Sequence, residues 1–138
     1  MQIKQISVFL ENNAGRLADV TRVLAQGGIN IRAISIADTA DFGILRLIVD
    51  NDAEALRVLS AAGFTTRETR VVAVEINDTP GSLAEVMELF RESDVNIEYL
   101  YASLEGKAGK AVVIFKLENF DVGLKIIEEH GLAMIDRF

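Results

Sequence analysis

The sequence predicts an α+β protein built from two βαββαβ units in tandem, each an antiparallel sheet with helices on one face. The first observation behind this is self-similarity. A shift of 66 places Gly15 on Gly81, Leu17 on Leu83, Ala18 on Ala84, Val20 on Val86, Asn30 on Asn96 and Ile31 on Ile97. Further along the shift becomes 68, matching Leu56 to Leu124, Leu59 to Ile127 and Gly63 to Gly131, so the second copy holds two extra residues between these stretches. The second observation is that alternating apolar runs and helical apolar stripes follow one another in the same order in both copies. The third is that Gly, Asn and Asp fall where these stretches meet. The units are expected at residues 1–70 and 71–138.

Each element has its own reason. Ile6, Val8 and Leu10 alternate with Ser7 and Phe9 as a strand. Leu17, Val20 and Leu24 recur at helical spacing until Gly27-Gly28 stops the helix. Ile29 to Ala37 is rich in β-branched residues and reads as a second strand; Thr39-Ala40-Asp41-Phe42-Gly43 turns it into a third, Ile44 to Val49. Asn51 or Asp52 can cap a helix carrying Leu56, Leu59 and Ala62 on one side and ending at Gly63, and Phe64 to Thr69 is a short fourth strand. The second copy repeats the order: a strand to Ile76, a helix with Leu83, Val86, Met87 and Phe90, and a strand from Val95 to about Ser103. The turn at Glu105 to Lys110 takes the two extra residues. Ala111 to Leu117 follows, then a helix capped by Asp121 with Leu124 and Ile127, ended by His130-Gly131, and a closing strand from Ala133 to Phe138. This order is that of the ferredoxin-like split βαβ arrangement.

Composition narrows the function. The net charge of −7 lies wholly in the second copy, since residues 1–70 hold 8 basic and 8 acidic side chains and residues 71–138 hold 6 and 13. Without a basic stripe, neither nucleic acid nor an anionic membrane is an expected partner. No apolar run approaches a membrane span, and the N-terminus enters a strand directly, so a cytoplasmic protein is expected. With no cysteine and His130 as the only histidine, no metal or cofactor is implied. His130 sits at a helix end with no nucleophile–base set around it, and no Gly-rich phosphate loop follows a strand, so no enzyme is expected. The third strands lack the stacking aromatics of RNA-binding domains built on this topology.

The functional candidate is the loop between first strand and first helix, Asn77-Asp78-Thr79-Pro80-Gly81-Ser82-Leu83 in the second copy. A helix start presents unpartnered N–H groups and a partial positive charge that suit a carboxylate. Asp78 beside it suits an ammonium, so the loop offers both halves of what an amino-acid zwitterion requires. Asp78 before Pro-Gly is equally a turn and N-cap residue, and Asn30 and Asn96 after helix ends are equally left-handed caps.

Both copies resemble ACT domains, the small-molecule-sensing modules of amino-acid metabolism. The resemblance rests on Asp78-Thr79-Pro80-Gly81-Ser82-Leu83 followed by Val95-Asn96-Ile97, and on Glu11-Asn12-Asn13-Ala14-Gly15-Arg16-Leu17 followed by Ile29-Asn30-Ile31. The first copy departs from the pattern at Asn12 and Ala14, and is also similar to the ACT unit of acetolactate synthase small subunits. The resemblance implies an amino-acid ligand at ACT–ACT interfaces, contacted by Asn12, Asn13, Ala14 and Gly15 or by Asp78, Thr79, Pro80 and Gly81. Asn30 or Asn96 would reach in from a neighbouring unit, and Ile31 and Ile97 would line the pocket. It implies a non-catalytic regulatory protein, or else a regulatory subunit or interaction module of an amino-acid biosynthetic enzyme. The long apolar run from Ile29 to Ile36 on an edge strand adds the expectation of a homodimer.

Overall fold

The computed structural model describes residues 3–38, 41–104 and 106–136. Met1-Gln2, Thr39-Ala40 of the first expected turn, Glu105 of the second, and Arg137-Phe138 of the expected last strand lie outside them. The fold is α+β. The elements are β1 (Ile3–Glu11), α1 (Arg16–Gln26), β2 (Ile31–Asp38), β3 (Phe42–Val49), α2 (Asp52–Ala61), β4 (Thr65–Asn77), α3 (Ser82–Glu92), β5 (Ile97–Ala102), β6 (Lys110–Leu117), α4 (Phe120–Glu129) and β7 (Ala133–Ile135). The chain divides into two compact units, one of Lys4–Thr69 and one from Arg70 onward. β4 contributes residues 65–69 to the first and 70–77 to the second. Two separate strands were expected here, but no Gly or Pro lies between Thr65 and Asn77 to interrupt the ladder.

In the first unit the strand order is β2-β3-β1-β4, with β1 and β2 both antiparallel to β3. In the second it is β5-β6-β4-β7, all pairs antiparallel. The registers locate the two extra residues. Ile31 faces Val49 and Ile97 faces Leu117, so β2 matches β5 at an offset of 66 while β3 matches β6 at 68. The insertion therefore lies in the hairpin turn between β5 and β6. Each edge strand also carries a bulge at the same place, between Ile31 and Ala33 and between Ile97 and Tyr99.

Each unit encloses its own core. Ile6, Val8, Leu10, Val20, Leu24, Leu45, Leu47 and Leu59 are buried together in the first. Val72, Val74, Val86, Phe90, Val113, Phe115 and Ile127 hold the matching places in the second, where Phe90 meets Phe115 edge-on at 5.6 Å. The helical stripes differ from expectation at three positions: Ala62 is exposed just past the end of α2, where Ala55 is buried with Leu59 instead, and Leu17 and Leu83 are 42% and 37% exposed. The buried stripes comprise Val20, Val23 and Leu24 in α1 and Val86, Met87 and Phe90 in α3; at 100° per residue Leu17 falls about 20° from Leu24 and Leu83 falls between Phe90 and Met87, so both leucines share the direction of the stripe but lie at its end, in the first turn.

Helix caps follow the repeat. Asn51 caps α2 by accepting from the Glu54 N–H at 3.2 Å. The residue that caps α4 is Asn119, 68 further on, accepting from the Val122 N–H at 3.2 Å. Asp121, expected to cap, lies inside the first turn, where its charge complements the helix dipole but its position is already helical.

Candidate functional site

The two loops ahead of α1 and α3 share one geometry. Gly15 and Gly81 are the N-cap residues, with φ of 88° and 90°, a left-handed conformation that glycine adopts without penalty. Neither helix receives a side-chain cap, whereas α2 and α4 both do. Asp78 is therefore not a capping residue. Its N–H donates to the Gly109 carbonyl at 3.0 Å, and its exposed carboxylate has no hydrogen-bond or ion-pair partner among the described residues. Thr79 Oγ1 and Ser82 Oγ lie 2.7 Å apart, and the Ser82 N–H reaches the Thr79 carbonyl at 3.3 Å, fixing the turn through Pro80.

In the first unit the Asn12 N–H donates to the Asp41 carbonyl at 3.1 Å, the Asn13 N–H to the Glu11 carbonyl at 2.8 Å, and Asn13 Nδ2 to Glu11 Oε2 at 3.1 Å. Asn12, Asn13, Ala14 and Gly15 are all exposed, as are Asp78, Thr79, Pro80 and Gly81. Both loops thus present accessible helix starts.

The asparagines of the motif are held by a repeated device. The Asn30 carbonyl accepts from the Asp50 N–H at 3.1 Å and its N–H donates to Asp50 Oδ1 at 3.0 Å. The Asn96 carbonyl accepts from the Glu118 N–H at 3.0 Å, and Asn96 Nδ2 donates to Glu118 Oε2 at 3.0 Å. Neither is a left-handed cap: that conformation belongs to Gly28 (φ 72°) and to Asp94 (φ 56°), its counterpart. Ile31 and Ile97 are half-buried and pack against the core of their own unit.

The structure does not bring the loop and the asparagine of one unit together. Asn77 faces Lys110 at one end of β6, and Ile97 faces Leu117 at the other, seven residues away. At about 3.3 Å per residue this is roughly 23 Å. The first unit has the same layout, with Glu11 opposite Phe42 and Ile31 opposite Val49.

Beside the second loop lies a cleft of about 260 Å³ lined by Glu75, Ile76, Asn77, Ser82, Glu85, Val86, Leu89, Lys110 and Leu132. Lys110 Nζ donates to Asn77 Oδ1 at 2.5 Å. Of these, sequence reasoning selected only Asn77 and Ser82, within the loop motif; the others come from β4, α3, β6 and the approach to β7 and share no local motif. Among the described residues no group of His, Cys, Asp or Glu is arranged to hold a metal ion, and no helix is long and apolar enough to cross a membrane.

Comparison with known proteins adds to this geometry. A family model described as an ACT domain pair matches residues 1–137. Among solved structures, a protein from Bacteroides thetaiotaomicron superimposes with a TM-score of 0.92 at 38% identity, over 98% of this chain and 92% of that one. Regulatory subunits of aspartate kinase from Thermus thermophilus and Thermus flavus share the fold at 20% identity, with TM-scores of 0.66 and 0.63. They match over 94% of this chain and over 93% and 92% of their own. No curated protein sequence matches.

Proposed function

The chain belongs to the ACT domain family as an ACT domain pair, and from that premise we propose a cytoplasmic, non-catalytic regulatory protein that binds a small amino acid at junctions between ACT units. The observation that carries the reading is the contrast in capping. The fold supplies asparagine caps to α2 and α4 and leaves the starts of α1 and α3 uncapped and exposed behind left-handed glycines. Uncapped first-turn N–H groups are donors for a ligand carboxylate. The Asp78 carboxylate is the partner for its ammonium, and Asn12 takes that place in the first unit.

Because roughly 23 Å separates loop and asparagine within a unit, Asn30 or Asn96 must come from another unit, and we assign it to a second copy of the chain. The protein is then a homodimer whose ligand is shared across the junction, with Ile31 or Ile97 beside it. The competing reading is a regulatory subunit or interaction module of an amino-acid-metabolism enzyme that works by contact alone. The aspartate kinase regulatory subunits, which share the fold over nearly their full length, make it a concrete alternative.

A thermal-shift screen of the twenty amino acids separates the two. A ligand at 100 times its dissociation constant stabilises by about 2.7 kcal/mol, so at least one amino acid is expected to raise the melting temperature. A flat result across the set overturns the sensor reading and leaves the interaction module.

A further inference from the structure

The two units fill one corner of the fold differently. In the first, Arg16 opens α1, its guanidinium lies 4.7 Å from the centre of the Phe64 ring, and Nη1 is 3.4 Å from Asp19 Oδ2. On its other side Asp19 meets Arg22 at 2.8 Å. The repeat offsets of 66 and 68 convert Arg16 to Ser82, Asp19 to Glu85, Arg22 to Glu88 and Phe64 to Leu132. Ser82, Glu85 and Leu132 are walls of the open cleft. The second unit therefore keeps the carboxylate and an apolar wall while losing both arginines; Glu88 turns away to pair with Arg91.

We infer that this cleft is a site for the guanidinium group of a small molecule, which would take the place that Arg16 fills in the first unit. Neither Glu75 nor Glu85 has an ion-pair partner among the described residues, and Lys110, the one cation in the lining, is bonded to Asn77. Planar guanidinium matches carboxylates through paired hydrogen bonds, and Val86, Leu89 and Leu132 would cover its alkyl stem. The volume of about 260 Å³ falls just below the roughly 300 to 1,000 Å³ of drug-sized ligand pockets, in keeping with a ligand as small as an alkylguanidinium. The inference goes beyond the amino-acid reading, since it needs neither the Asp78 carboxylate nor a second copy.

The test is a methyl and amide NMR titration of the full chain with n-butylguanidinium, against neutral n-butylurea as control. Saturable shifts at Glu85, Leu89 and Leu132 at millimolar concentrations are expected, with the urea binding about tenfold or more weakly for loss of its charge-assisted bonds. The double variant Ser82→Arg/Leu132→Phe rebuilds the first-unit plug and should abolish binding while leaving spectra of the first unit unchanged. Glu85→Gln, which alters charge without volume, should weaken it about tenfold. No saturable shift, equal binding of the urea, or retained binding in either variant overturns the proposal. Because the probe carries no α-amino or carboxylate group, failure here leaves the amino-acid site standing, and failure of the amino-acid screen leaves this cleft standing.

Discussion

Gly123, buried in the middle of α4, is the position where the two copies exchange volume most directly. A Cβ placed there would stand 2.2 Å from Leu117 Cδ1, with Cγ at 3.4 Å and Cβ at 3.6 Å. In the first unit the corresponding residues are Ala55, fully buried, and Val49, so one methylene has moved from helix to strand. Gly123→Ala gains about 1 kcal/mol of helix propensity and meets an overpacking cost of about 1 to 3 kcal/mol. The net expectation is a loss of about 0 to 2 kcal/mol. Leu117→Val alone should cost about 0.5 to 1.5 kcal/mol by analogy with Ile→Val. Together they recreate the Ala55–Val49 pair, so the double variant should lie within about 0.5 kcal/mol of the parent or above it, a favourable coupling of about 1 to 3 kcal/mol. Urea denaturation, comparing midpoints at constant slope, measures all four corners of the cycle. Additivity within about 0.5 kcal/mol would refute the steric argument, as would Gly123→Ala stabilising by the whole helix-propensity term.

Other outcomes follow from the caps, the turn and the loops. Asn119→Ala should destabilise by about 1 kcal/mol and Asp121→Ala by only a few tenths, measured by the same denaturation, since one satisfies a backbone donor while the other complements a dipole and makes an exposed ion pair with Arg70 at 3.6 Å, both weak in solvent. Asp94→Gly places in the second unit the residue that the first unit has at Gly28, and relief of the left-handed backbone should raise stability by about 0.5 to 1 kcal/mol; a loss would show that the Asp94 side chain stabilises its turn. Once the amino-acid screen identifies a ligand, calorimetry should show Asp78→Ala costing about 1.5 to 3 kcal/mol of binding and Asn12→Ala less, because only Asp78 carries a charge. Binding abolished by Asn12→Ala and untouched by Asp78→Ala would reverse the assignment.

Much of the fold was legible because duplication lets each half check the other. The apolar alternation of Ile6, Val8 and Leu10 and of Val72 and Val74 became a core strand in each unit, and the change of offset from 66 to 68 was traceable to one hairpin. The Asn119 cap was missed although Asn51 stood 68 residues earlier, because Asp121 has the right chemistry and only backbone conformation distinguishes cap from first turn. Leu17 and Leu83 satisfy the helical spacing yet are partly exposed in the first turn, because periodicity gives the direction of a buried stripe and not how far along the helix it extends. At the site, the Gly15 and Gly81 turns were readable from composition. The cleft was not, because it exists through what is absent at Ser82 and Leu132, and that becomes visible only once Arg16 is seen against Phe64.

The antiparallel register that puts the loop at one end of each sheet and the asparagine at the other has a consequence for dose response. On the proposed reading a single copy holds only incomplete halves of its sites, so ligand and partner compete with dilution together. Ligand tightens the association of copies, and by linkage association tightens the hold on ligand to the same degree. The response threshold is then no fixed property of the chain. It shifts with abundance, so that a cell making more of this protein lowers the amino-acid level at which it responds, with no residue changed.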